Sequence, residues 1–146
     1  MSGKPKEYAM SETNSDATRG TARTSIAVVL GATAAAVAIW IVATAAGADL
    51  TVSFGPGQPI QKVTVVNVVV AALVGSLAGW GLLALLRRFT TNARAIWTVI
   101  AIVFALFSLA GPLSTISSTG TKVALGAMHL AVATVVIFGL RRTRGR

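Results

Sequence analysis

The stretch KVALGAMHLAVATVVIFGL, residues 122–140, carries the only histidine of the chain, His129, inside an apolar run. Its ring nitrogens can donate or accept a hydrogen bond or exchange a proton, and an ionisable group within an apolar span is a candidate site by default. Each of the other apolar runs holds a polar side chain toward the same half, Asn67, Ser108 and Thr44. At a rise of about 1.5 Å per residue from the flanking lysines, His129 lies roughly 10 Å inside its run and Asn67 roughly 7 Å. Ser108 precedes Pro112 by one helical turn, and Thr44 stands near the end of the first run. Such a set can line a small polar pocket that binds a polar or amphipathic molecule. It can equally supply interhelical hydrogen bonds, each worth about 0.6–2 kcal/mol.

Other chemistry finds no residues to carry it. The acidic side chains are Glu7, Glu12 and Asp16 near the N-terminus and Asp49 between two apolar runs, and cysteine is absent. One histidine without Cys, Asp or Glu at ligand spacing does not complete a metal shell. A hydrolytic triad would need Asp49 to fold back over the apolar runs, and no phosphate loop or dinucleotide fingerprint occurs. The expectation is therefore no catalytic residue, no metal, no cofactor and no enzymatic activity.

The elements that must position these residues follow from hydropathy. The chain is 54% hydrophobic and 12% charged, with a mean hydropathy of +0.75, too little charge to cover a soluble surface. Four runs, Ile26 to Ala46, Val63 to Leu86, Ala95 to Leu113 and Val123 to Leu140, contain no Asp, Glu, Lys or Arg. In lipid, backbone polar groups must be satisfied within the segment or in a closed barrel, and these runs lack the alternation of barrel strands. Valine-rich VTVVNVVV is therefore read as helix. The predicted fold is all-α: an integral membrane bundle of four transmembrane helices, about 26–46, 63–86, 95–113 and 123–140, forming a domain over residues 25–140. Residues 1–24, rich in Ser, Thr, Gly and charge, read as a disordered cytoplasmic tail, and residues 141–146 as a basic one.

The net charge of +9 resembles a nucleic-acid signal until its residues are located. All basic residues flank the runs. Lys4, Lys6, Arg19 and Arg23 precede the first, Arg87, Arg88 and Arg94 join the second to the third, and Arg141, Arg142, Arg144 and Arg146 end the chain. The two remaining links hold only Lys62 and Lys122. By the positive-inside rule both termini are cytoplasmic, in a bacterial inner membrane, and no nucleic acid is implied. Arg87, Arg88, Arg141 and Arg142 would meet anionic lipid head groups, at about 1 kcal/mol per basic residue near the surface.

Ala71, Gly75 and Gly79 recur every fourth residue and form a small-residue groove on the second helix, suited to packing within the bundle or against a second copy. Trp97 reads as an interfacial anchor and Trp40 and Trp80 as core residues whose indoles need partners. In the link after the first helix, GPGQP signals a turn and LTVSF a short extended piece. Thr119 or Thr121 is the expected N-cap of the fourth helix.

The segments AGWGLLALLRR, RAIWTVIAIVFALFSLAGPLS and AMHLAVA resemble a family of uncharacterised four-helix membrane proteins from actinobacteria, over residues 25–140. The shared elements here are Trp80 and Gly81, the Gly111-Pro112 helix end, and Met128-His129. The resemblance implies the fold and a bacterial cytoplasmic membrane, and no activity. Two expectations remain. One is a non-catalytic polytopic membrane protein, an accessory or structural subunit that touches lipid, other membrane subunits or itself. The other is a small carrier or binding protein whose pocket surrounds His129.

Overall fold

The computed structural model describes the backbone of residues 5–142 and the side chains of residues 23–142. Four helices, α1 (Pro5–Ala45), α2 (Val65–Phe89), α3 (Ala93–Ser114) and α4 (Thr119–Arg142), enclose a two-stranded hairpin of β1 (Thr51–Val52) and β2 (Gln61–Lys62) between α1 and α2. Each helix contains a stretch long and apolar enough to cross a membrane, for α1 Arg23–Ala45. α1 packs on α4 and α2, and α3 packs on the same two helices, so the four form a closed square. Arg87, Arg88, Arg94, Arg141 and Arg142 collect at one end of it, and the hairpin closes the other.

The helices outrun their apolar cores. Arg87 and Arg88 occupy the last turn of α2, and Arg141 and Arg142 that of α4. Cations there offset the negative end of the helix dipole, so the helix continues past the last apolar residue. α1 is helical from Pro5, where the sequence suggested a flexible tail over residues 1–24. Proline is tolerated at a first helical position, and propagation from an established apolar helix avoids the cost of a new nucleus. Residues 1–4 and 143–146, with Lys4, Arg144 and Arg146, lie outside the described residues.

Local chemistry sets the helix ends at the hairpin. α1 stops in a Schellman motif: Ala48 N–H donates to Ala43 O at 3.0 Å and Gly47 N–H to Thr44 O at 3.0 Å, with Gly47 at φ 81°. Four residues of the next link make a hydrogen-bonded turn, Gln58 N–H to Gly55 O at 3.1 Å, with Pro56 second and Gly57 (φ 77°) third. That is the residue order a type II turn demands. The hairpin pairs Thr51 with Lys62 and Val52 with Gln61. Ser53 and Ile116 then exchange backbone hydrogen bonds at 3.1 and 2.8 Å, tying the hairpin to the α3–α4 link.

α2 begins at Thr64, whose hydroxyl donates to the Asn67 side-chain oxygen and accepts from Asn67 N–H at 3.4 Å. α4 begins at Ser118, not at Thr119 or Thr121: Ser118 Oγ accepts from Thr121 N–H at 3.2 Å. A cap stands two or three residues before the amide it satisfies, here three, and Thr121 is itself the buried partner. Pro112 lies inside the last turn of α3, and the hydroxyls of Ser114 and Thr115 cover the Gly111 and Pro112 carbonyls.

Two buried clusters make the interior. Toward the arginine end, Ala32, Leu83, Trp97, Val136 and Leu140 pack together. Toward the hairpin, Ala36, Leu50, Val52, Val68, Ala72, Ala124, Leu125 and Met128 do so. Val132 packs against both.

Candidate functional site

The four polar residues suggested by the sequence each spend their hydrogen bond inside their own segment. His129 is half-buried on α4, and its Nδ1 lies 2.8 Å from the Leu125 carbonyl one turn back. That carbonyl can only accept, so Nδ1 carries the hydrogen. Ser108 Oγ donates to Ala105 O at 2.7 Å, and Thr44 Oγ1 donates to Trp40 O at 2.8 Å. Asn67 is exposed in the first turn of α2, where it serves the Thr64 cap. No hydrogen bond joins any two of the four among the described residues. Helical Ser and Thr reach the carbonyl three or four residues back whenever no better acceptor faces them, and an N3 side chain is drawn to its cap. Depth along a helix says nothing of azimuth, which is why a shared depth did not make a shared pocket.

The small-residue stripe of α2 also divides. Gly79 faces inward, where an added Cβ would meet Val136 at 3.4 Å and Trp97 at 3.9 Å. Ala71 and Gly75 are exposed, and a Cβ on Gly75 meets nothing within 4 Å. The inward stripe is Val68, Ala72, Ser76 and Leu83. A spacing of four in a helix of 3.6 residues per turn drifts about 40° per step. Gly79 therefore lies about 80° round from Ala71.

Tryptophans hold the helices. Trp97 is not an interfacial anchor: it is 1% exposed, and its indole N–H donates to the Gly79 carbonyl of α2 at 2.7 Å. The absent side chain of Gly79 lets the ring approach that carbonyl. Trp40 donates to Val63 O at 3.1 Å, fastening α1 to the connection between β2 and α2. Of the arginines proposed to meet lipid head groups, Arg88, Arg141 and Arg142 are exposed and Arg87 is half-buried. Among the described residues no group of three or more His, Cys, Asp or Glu could hold a metal ion.

A feature missed from sequence is a groove of roughly 570 Å³ between α1 and α4 near the hairpin. Small residues, Ala43, Ala46, Ala124 and Ala127, line it together with Ile39, Val42 and Val123. Gly47, Asp49, Ser118 and Gly120 line its hairpin end. Asp49 is exposed and is the only carboxylate among the described side chains. The sequence signal was available: alanines and glycines recur at helical spacing on both α1 and α4. It was masked because alanine is abundant throughout the chain.

The fold and these contacts define a four-helix protein whose helices can each cross a membrane, with a polar hairpin at one end and arginines at the other. Residues 16–146 match a family of unknown function, DUF6069, and the chain belongs to that family. No curated protein and no solved structure matches the chain.

Proposed function

We propose that this chain is a non-catalytic polytopic membrane protein that acts through helix contacts with a larger membrane complex or with a second copy. Both termini are assigned to the cytoplasmic side of a bacterial membrane, because all but two of the basic residues lie in the termini and the α2–α3 link. The exposed arginines of α2 and α4 then sit among anionic head groups on that side.

One observation carries the contact role. Ala71 and Gly75 present a smooth, exposed strip on α2 that the bundle itself does not use. In lipid, helices associate where small side chains permit close van der Waals approach. The test is extraction in mild detergent at native expression, with Gly75→Cys cross-linking in the membrane. Comigration with an oligomer or larger assembly, and its loss in Gly75→Leu with bundle stability intact, is the expected result. A strictly monomeric protein that forms no cross-link defeats the reading.

A second reading is favoured by the α1–α4 groove, whose volume falls within the about 300–1,000 Å³ typical of small-molecule sites. In it the protein is a binding or carrier protein for an amphipathic molecule. The site is the groove and not a pocket around His129.

A further inference from the structure

We infer that the α1–α4 groove seats one hydrocarbon chain of an aminophospholipid from the surrounding bilayer, with the ammonium head group against Asp49. This deepens the second reading above and rests on it. At the arginine end of the same helix pair, a Cβ on Gly139 would meet Val28 Cγ2 at 2.5 Å, so the two helices touch. At the hairpin end, Gly47 and Gly120 have nothing within 4 Å of an added Cβ. At this end Ala43 and Ala46 of α1 and Ala124 and Ala127 of α4 line the groove.

The channel has a direction and a polarity. From Gly120 to Ala127 it follows α4 for about 10 Å, given 1.5 Å per residue. Its length is lined by alanine and valine, suited to methylenes, and no lysine or arginine lines it. Asp49 stands at its hairpin end, past the C-terminus of α1. In a chain of net charge +9, most of the surface favours anionic lipid, and this mouth is the described place that favours a cation. Backbone geometry keeps the carboxylate there. Gly47 (φ 81°) turns the chain out of α1, and Leu50 (φ 46°) turns it back so that its own side chain is buried beneath. A left-handed conformation at a leucine is unfavourable for an L-residue and persists only when its surroundings over-determine it, here by burial of Leu50.

The experiment uses the full chain reconstituted in vesicles of equal parts phosphatidylethanolamine and phosphatidylglycerol with matched acyl chains. After gentle detergent extraction, retained lipid per chain is measured by mass spectrometry. The ratio of retained phosphatidylethanolamine to phosphatidylglycerol is expected to be about two- to five-fold higher in the wild type than in Asp49→Asn, the discrimination an exposed ion pair supports. Asp49→Asn should retain as much total lipid. Ala46→Phe, which fills the groove from an exposed position, should lose retained lipid at unchanged helicity. An equal ratio in the wild type and in Asp49→Asn overturns the aminophospholipid assignment and leaves groove binding standing. Total lipid unaffected by Ala46→Phe overturns the groove reading itself.

Discussion

The two ends of the bundle use the same small residues for opposite purposes. At the arginine end, Gly139 lies against Val28 and Gly79 against Trp97 and Val136, so each missing side chain is consumed by a close approach. At the hairpin end, Ala43, Ala46, Ala124 and Ala127 face a groove that nothing in the bundle fills. What differs is the contact made. Valine and tryptophan close on the glycines at one end, whereas at the other the alanines, with Ile39, Val42 and Val123, line open space. A small residue sets how near two helices can come. Whether they do so depends on the bulk supplied across the contact and on the connections. The hairpin, bonded both to Trp40 and to the α3–α4 link, holds the helix ends at the spacing the groove requires.

The largest effect should come from emptying the tight end. Trp97→Ala removes the principal buried side chain of that cluster and its hydrogen bond to Gly79. Truncation of a buried Trp costs about 3–5 kcal/mol in water-soluble cores. In lipid the unfolded reference gains no water contact, so the lower part of that range, about 3 kcal/mol, is expected in detergent unfolding. Trp97→Phe should cost about 1 kcal/mol, close to one interhelical hydrogen bond. If Trp97→Ala unfolded no more readily than the wild type, the tight end would not be the stable one and the contrast would disappear.

Next comes a substitution that adds one methyl group at each end. Gly139→Ala must displace Val28, which is β-branched and cannot rotate away freely, so a loss of about 1–3 kcal/mol is expected. Gly120→Ala has open space and should be neutral within about 0.5 kcal/mol. Val28→Ala should rescue Gly139→Ala in the double variant, because it removes the atoms in conflict. Equal losses at the two glycines would show that the two ends are packed alike.

The sequence made the four helices legible because runs without charge admit one solution in lipid, and arginine placement marks which helix ends gather together. The hairpin could be read in outline, since GPGQP dictates a turn and LTVSF an extended piece. The candidate site could not. His129, Asn67, Ser108 and Thr44 share a depth, but each is satisfied by a carbonyl or cap in its own segment, a competition that polarity patterns do not reveal. The stripe of Ala71, Gly75 and Gly79 failed as a single face because Ala71 and Gly75 flank the buried Val68, Ala72 and Ser76 on the outward side, whereas Gly79 has turned in against Val136 and Trp97. The groove stayed hidden because it is defined by what the helices fail to touch, a property of pairs of segments and not of either alone.

The smallest effect, and the one with the opposite sign, belongs to the seam between the two ends. Ser76 is fully buried on α2, between Ala72 of the hairpin-end cluster and Leu83 of the arginine-end cluster, and its hydroxyl finds no hydrogen-bond partner among the described residues. A buried hydroxyl without a partner costs about 1–3 kcal/mol relative to an apolar group of the same shape. Part of that cost is recoverable if the side chain rotates to bond the carbonyl four residues back. Ser76→Ala should therefore stabilise the protein by up to about 1 kcal/mol, with no change at either end. Ser76→Val, which keeps the hydroxyl's bulk and adds more, should instead destabilise by about 1–3 kcal/mol by overpacking a site with no free space. Paired unfolding curves for the two variants decide the matter. A destabilising Ser76→Ala would mean that the hydroxyl bonds across the seam and that the two halves are coupled through it rather than through Val132 packing alone.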